Sequence, residues 1–325
     1  MIVFLRIMHR HEKRREKAFS ARWHPLLMQI LSGEDGLPLP ALPRRDHFLF
    51  LKHWNHFQET VRGNASARLS KAASRLGVNA VARRLLHHRN LNRQLLAILA
   101  LGHLRDESAW NELLLMSASG NSAISIYAAR ALIQINPQKA APHVLPMLLQ
   151  RDDWDIMRSA NLMQESHDFL GAELVRTLAS LSGTRLLRGL KLAEALHLQI
   201  PQPQQVDLFG PQQPVEVVIA TLRIAAGAQV LDIVRSKASD ADWRVRVQAA
   251  RALGRIGDIS DIPILMNLMK DPQWWIRYRS AQALVDLPGL QPGQLDQLLV
   301  SLTDRYARDI LNQVLAERGH PSRSS

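Results

Sequence analysis

Along much of this chain small and apolar residues recur three and four positions apart, the period of a helix with one buried face. Ala249, Ala250, Leu253 and Ile256 make such a face. Gly257-Asp258 then reads as a helix stop and turn. Ile262, Leu265, Leu268 and Met269 supply the stripe of a second helix, with Pro263 tolerated in its first turn. Asp271-Pro272 opens the next copy, and the pattern starts again.

The copies superpose at a step of 31 residues. Trp243 to Gly254 lies over Trp274 to Val285 without a gap, and Asp240 falls on Asp271. The same step carries Leu222 to Leu253, Leu284 and Leu315, and Arg246 to Arg277 and Arg308. A weaker series runs through Leu101, Leu132 and Met163, with Ile98, Ala129 and Ala160 three residues before each. A period of this length predicts stacked helical hairpins, because one hairpin cannot cover its own apolar face. Thr184 to Leu198 is predicted helical between the two series, and a degenerate hairpin is expected from about 292 to 318.

The run from Asp240 to Asp258 resembles the HEAT repeat, particularly the bacterial HEAT-like form also seen in phycobilin lyases. The resemblance is specific over 215–290 and looser over 90–170. It implies an all-α fold, an α/α superhelix with an irregular N-terminal helical cap. It also implies that Asp240, Arg246, Asp271 and Arg277 form a structural ladder between neighbouring repeats. The expected organisation is a basic segment and loop over 1–46, a cap over 47–90, a first array over 91–198, a Pro/Gln-rich linker over 199–214 and a second array over 215–325.

Within the cap, Phe48, Leu51, Trp54, Phe57 and Val61 fall at helical spacing. The stretch from 199 to 214 holds four prolines and six glutamines, so no regular helix is expected there. It reads as a long inter-helix loop or as a partner-binding segment, with Leu208 and Phe209 as a short apolar anchor.

Charge changes the picture mainly at the start. The formal charge is +12, and residues 1–109 hold 19 Lys or Arg against 8 Asp or Glu, leaving 22 against 21 in the remainder. A near-neutral repeat region does not offer the continuous basic lining that nucleic acid requires. Met1 to Leu5 is apolar and is followed by Arg6, Arg10, Lys13, Arg14, Arg15, Lys17 and Arg22. Charge after the apolar stretch is the reverse of a secretory signal, and eight mostly apolar residues do not cross a bilayer. The order matches the cytosolic end of a spanning helix, with an anchor upstream, or an amphipathic helix over Met1 to Trp23 on anionic lipid. A solvated basic tail is the plain alternative.

The chain has no cysteine, which removes disulfides, thiolate catalysis and Cys-ligated zinc and makes the cytoplasm the expected compartment. No phosphate-binding glycine loop or nucleophile elbow is present. His53 and His56 lack a third ligand at metal-site spacing. Arg83, Arg84, Arg89 and Arg93 form a basic patch best explained as a helix terminus. Trp275, with Tyr278 and Arg279, is a candidate partner-binding cluster, since it replaces Arg244 at an outward position, whereas Trp274 aligns with Trp243 and reads as repeat packing. The cluster is also similar to features of HEAT-like alkylpurine DNA glycosylases, but it lacks an acid in a clear catalytic role.

No cofactor and no metal are expected. The function predicted first is a non-catalytic protein-protein interaction scaffold, held at the inner face of the cytoplasmic membrane by its basic N-terminus. The alternatives are nucleic-acid binding or DNA repair and, on family resemblance alone, a lyase acting on a partner protein.

Overall fold

The computed structural model describes residues 2–33 and 37–319, with the side chains of 2–13, Glu165 and Pro292 outside the described set. Among the described residues every regular element is helical, and the chain divides into two compact units, Met1–Leu170 and Gly171–Ser325.

The first unit opens with α1 (Ile2–Ser32), α2 (His47–Thr60), α3 (Asn64–Arg75) and α4 (Val78–Leu86). Phe19, Trp23, Leu27 and Ile30 recur along one side of α1 and are buried. Trp23 meets the ring of Phe50 edge-on at 4.9 Å. Arg68 of α3 donates Nε to the carbonyl of Ile30 at 3.0 Å and Nη2 to that of Leu31 at 2.5 Å, which satisfies acceptors at the α1 C-terminus. The basic N-terminal segment is therefore helix rather than tail, and Trp23 is part of the core rather than a membrane-facing residue. The side chains of Arg6, Arg10 and Lys13 lie outside the described residues. Of the rest, Arg15 pairs with Asp46 at 3.0 Å, while Arg14, Lys17 and Arg22 are exposed.

Paired helices follow: α5 (Leu91–His103) and α6 (Trp110–Ser117), then α7 (Ser122–Ile135) and α8 (Pro137–Gln150), then α9 (Ile156–Leu162). The periodic residues Leu101, Leu132 and Met163 are all fully buried, as are Ile98 and Ala129. Asn90, Asn121, Asn136 and Asp155 cap α5, α7, α8 and α9 through their side-chain oxygens, so each start is fixed by a polar residue rather than by packing alone. The His53 ring rests on Phe19 at 5.5 Å, and no group of metal ligands occurs among the described residues. Arg83 pairs with the buried Asp106 at 3.3 Å.

Helix α10 (His167–Thr177) crosses into the second unit, which continues with α11 (Gly183–Ala195), α12 (Gln202–Leu208), α13 (Val215–Ile224), α14 (Leu231–Lys237), α15 (Trp243–Ile256), α16 (Ile262–Leu268), α17 (Trp274–Val285), α18 (Pro292–Ser301) and α19 (Arg305–Glu317). The odd-numbered helices from α11 to α19 pack in succession, and α14, α16 and α18 each pack on the helix that follows. Leu222, Leu253, Leu284 and Leu315 repeat the same core position, the first three with no exposure. At Gly254 an added Cβ would stand 2.7 Å from the Cα of Ala283, so α15 and α17 approach closely enough to exclude any side chain there.

Two expectations fail in this unit. Residues 199–214 contain a helix, α12, because Pro201 is its cap and Pro203 lies in its first turn, where a backbone N–H has no helical acceptor to lose. The buried Gln205 ties it down, donating to Ile200 O at 2.6 Å and accepting from Ala226 N at 3.0 Å. Leu208 and Phe209 are buried in the same unit and are no anchor for a partner.

The expected ladder shrinks to one rung. Arg246 Nε donates to Asp271 Oδ2 of the next repeat at 2.8 Å, and both side chains are largely buried. Asp240 instead sits 3.5 Å from Lys237 and accepts from Asp242 N. Among the described residues Arg277 reaches only the carbonyls of Asp271 and Pro272, because Leu302 stands 31 residues beyond Asp271. The constant role of this arginine lies within its own repeat: Arg246, Arg277 and Arg308 donate to the carbonyls of Asp240, Asp271 and Leu302 respectively, each six residues back.

Candidate functional site

Capping residues decide what is left in water on the second unit. Asp242 and Asp304 accept backbone N–H bonds from Arg244 at 2.8 Å and Ala307 at 2.8 Å, and Gln273 is the corresponding N-cap of α17. Val245, Ile276 and Ala307, the third residue of each helix, are buried. With that register set, the first and second residues of each helix project outward: Trp243 and Arg244, Trp274 and Trp275, Arg305 and Tyr306. Trp243 and Trp274 are each 43% exposed, Trp275 53% and Tyr306 72%.

The middle of this row is preorganised. Trp274 stacks on Tyr278 at 5.1 Å and meets Trp275 edge-on at 4.8 Å. Tyr278 Oη donates to Glu317 Oε2 of α19 at 2.7 Å, which raises the phenol above its ordinary pKa and lowers the carboxylate. Of the residues the sequence singles out, Trp275 is free at the surface, Tyr278 is a half-buried support and Arg279 faces elsewhere. Trp243, Trp274 and Tyr306 belong to the row as well. The expectation that Trp274 serves repeat packing is wrong for much of its surface, and Tyr306 was missed although it stands 31 residues after Trp275.

Two turns further along α15 and α17 lies a cleft of about 320 Å³ lined by Arg251, Gly254, Arg255, Arg279, Gln282, Ala283, Asp286 and Arg318. Asp286, its single acid, is bound to Arg318 at 2.7 Å. Burial, then the charge of Arg279, lowers the Arg251 pKa; burial, then Arg251, lowers that of Arg255.

Residues 216–321 match the family model for HEAT repeats. This segment is made of HEAT repeats. It spans α13 to α19 and includes the whole aromatic row and the Arg246–Asp271 rung. Among solved structures, Escherichia coli YibA is similar at 14% identity and a TM-score of 0.32, covering 90% of this chain and 96% of that one. Two engineered proteins, each 16% identical, have TM-scores of 0.28 and 0.24; they cover 89% of this chain and 82% and 95% of their own. No curated protein matches the sequence.

Proposed function

We propose that this protein is a non-catalytic scaffold whose HEAT repeats bind a partner protein, anchored by Trp243, Trp274, Trp275 and Tyr306. The observation that carries this reading is their exposure at successive helix starts. Trp and Tyr dominate the energetics of protein interfaces, and Trp side chains left in water gain from being covered. Stacking on Tyr278 holds Trp274 in place before binding, so less rotamer freedom is lost when a partner arrives.

Photo-crosslinking from positions 275 and 306 in native cells tests it, with position 300 as the control, since Val300 is 83% exposed on α18 but outside the row. One shared protein adduct from 275 and 306, absent from 300, is expected. Adducts of equal identity and yield from all three positions contradict the proposal.

A second reading concerns the membrane. No helix among the described residues is long and apolar enough to cross a bilayer. Exposed Arg14, Lys17 and Arg22 nevertheless leave α1 with cationic groups suited to anionic lipid, at roughly 1 kcal/mol each near the surface. Sedimentation with phosphatidylserine vesicles checks this. Binding that falls with salt and on replacing these three by Gln supports a surface tether, and recovery wholly in the supernatant refutes it. Nucleic acid is the weaker candidate, because residues 171–325 hold 18 Lys or Arg against 15 Asp or Glu.

A further inference from the structure

Three of the four arginines that line the α15–α17 cleft, Arg251, Arg255 and Arg279, have no acidic partner among the described residues, while Arg318 pairs with Asp286. Arg251 makes no hydrogen bond or salt bridge among the described residues. Arg279 donates to Gln282 Oε1 at 2.7 Å and lies 5.7 Å from the Tyr278 ring centre, and neither contact neutralises it. Arg255 donates Nη2 to Leu222 O at 2.9 Å and to Ala225 O at 3.5 Å, which leaves Nε and Nη1 without a partner among the described residues. The helices beneath are joined by Ala249, Leu253, Gly254 and Ala283, so packing does not require three guanidinium groups above them. For Arg251 and Arg255, partial burial and the neighbouring guanidinium groups disfavour the charge until an anion enters.

We infer that this cleft receives the side-chain carboxylates of an acidic peptide segment, with Arg251, Arg255 and Arg279 as its binding groups. The inference rests on the protein-partner reading above and adds the chemistry of what the partner presents. The planar fork of a guanidinium matches a carboxylate bidentately. The floor formed by Gly254 and Ala283 carries no bulky side chain, so a side chain from outside reaches down between the arginines. The positive patch is short. The Asp286–Arg318 pair closes one side, and Glu194, paired with Arg223 at 3.7 Å, stands near Arg251 on another. Acidic residues at those borders oppose the long run of phosphates in a nucleic acid and suit a brief acidic stretch of protein.

Fluorescence anisotropy of a labelled oligoglutamate peptide with the intact chain tests the inference. Saturable binding that weakens with salt is expected, reduced about tenfold or more in R251Q/R279Q and unchanged in R305Q, which removes a charge outside the cleft. Without peptide, R251Q/R279Q should keep the helical circular dichroism and the thermal midpoint of wild type, so that loss of binding does not reflect unfolding. No binding, an equal loss in R305Q, or displacement by oligothymidylate at lower concentration than by unlabelled oligoglutamate overturns the proposal. Should oligoglutamate fail while crosslinking from position 275 persists, the acidic segment falls and the aromatic docking surface stands.

Discussion

Glu59 shows how much a single residue settles in the first unit. Its carboxylate contacts His103 Nε2 at 3.1 Å and takes a two-pronged bond from Arg130 at 2.8 and 3.1 Å, although Arg130 itself is buried. The hydrogen bond with His103 and the Arg130 guanidinium hold the Glu59 pKa at about 2. A lowered carboxylate pKa gives stability that is present above the ordinary value near 4.5 and is lost as pH falls toward 2. Glu59→Gln therefore destabilises by about 1–2 kcal/mol at pH 7, screening by solvent included, and leaves Arg130 without its counter-ion. Urea midpoints of the two proteins should draw together as pH falls from 5 toward 2; a constant gap across that range contradicts the assignment. Nothing at sequence level pairs residues 59 and 130, because the contact joins two helices with no shared motif. Trp275 was legible for the opposite reason: the repeat supplies its own comparison, and a Trp where the previous copy has Arg244 points outward.

At the scale of elements, the 31-residue step located the helices of the second unit well, since core positions such as Leu253 and Leu284 depend only on period and packing. Its polar decoration was less predictable. A rung needs an Arg in one repeat and an Asp in the next, and only Arg246 and Asp271 meet that condition, with Val215 and Leu302 at the flanking positions. R246Q and D271N should each cost about 2 kcal/mol, with a coupling of about 1–3 kcal/mol in the double mutant, while R277Q costs less because no carboxylate faces it. Chemical unfolding of the four proteins decides it; additive losses, or a larger loss for R277Q, would remove the rung. Helix α12 escaped composition-based reasoning because proline cost depends on position. At a cap and in a first turn it is small, and the Gln-rich stretch then closes over Leu208 and Phe209.

For the whole molecule, the all-helical class and the repeat character of 216–321 follow from periodicity, whereas the division after Leu170 carries no local signal. Charge asymmetry is a property of the first third of the sequence, yet the basic segment also contributes Phe19, Trp23, Leu27 and Ile30 to a core. The second unit keeps two surfaces on the same helices, one aromatic and one cationic, and sequence alone pointed to part of the first. The affinity of the crosslinked partner for purified W275A/Y306A protein is the most direct test of a scaffold that works through its repeats. With the fold retained, as unchanged helical circular dichroism shows, Kd should rise by about tenfold or more. Equal affinity for wild type and variant would contradict it.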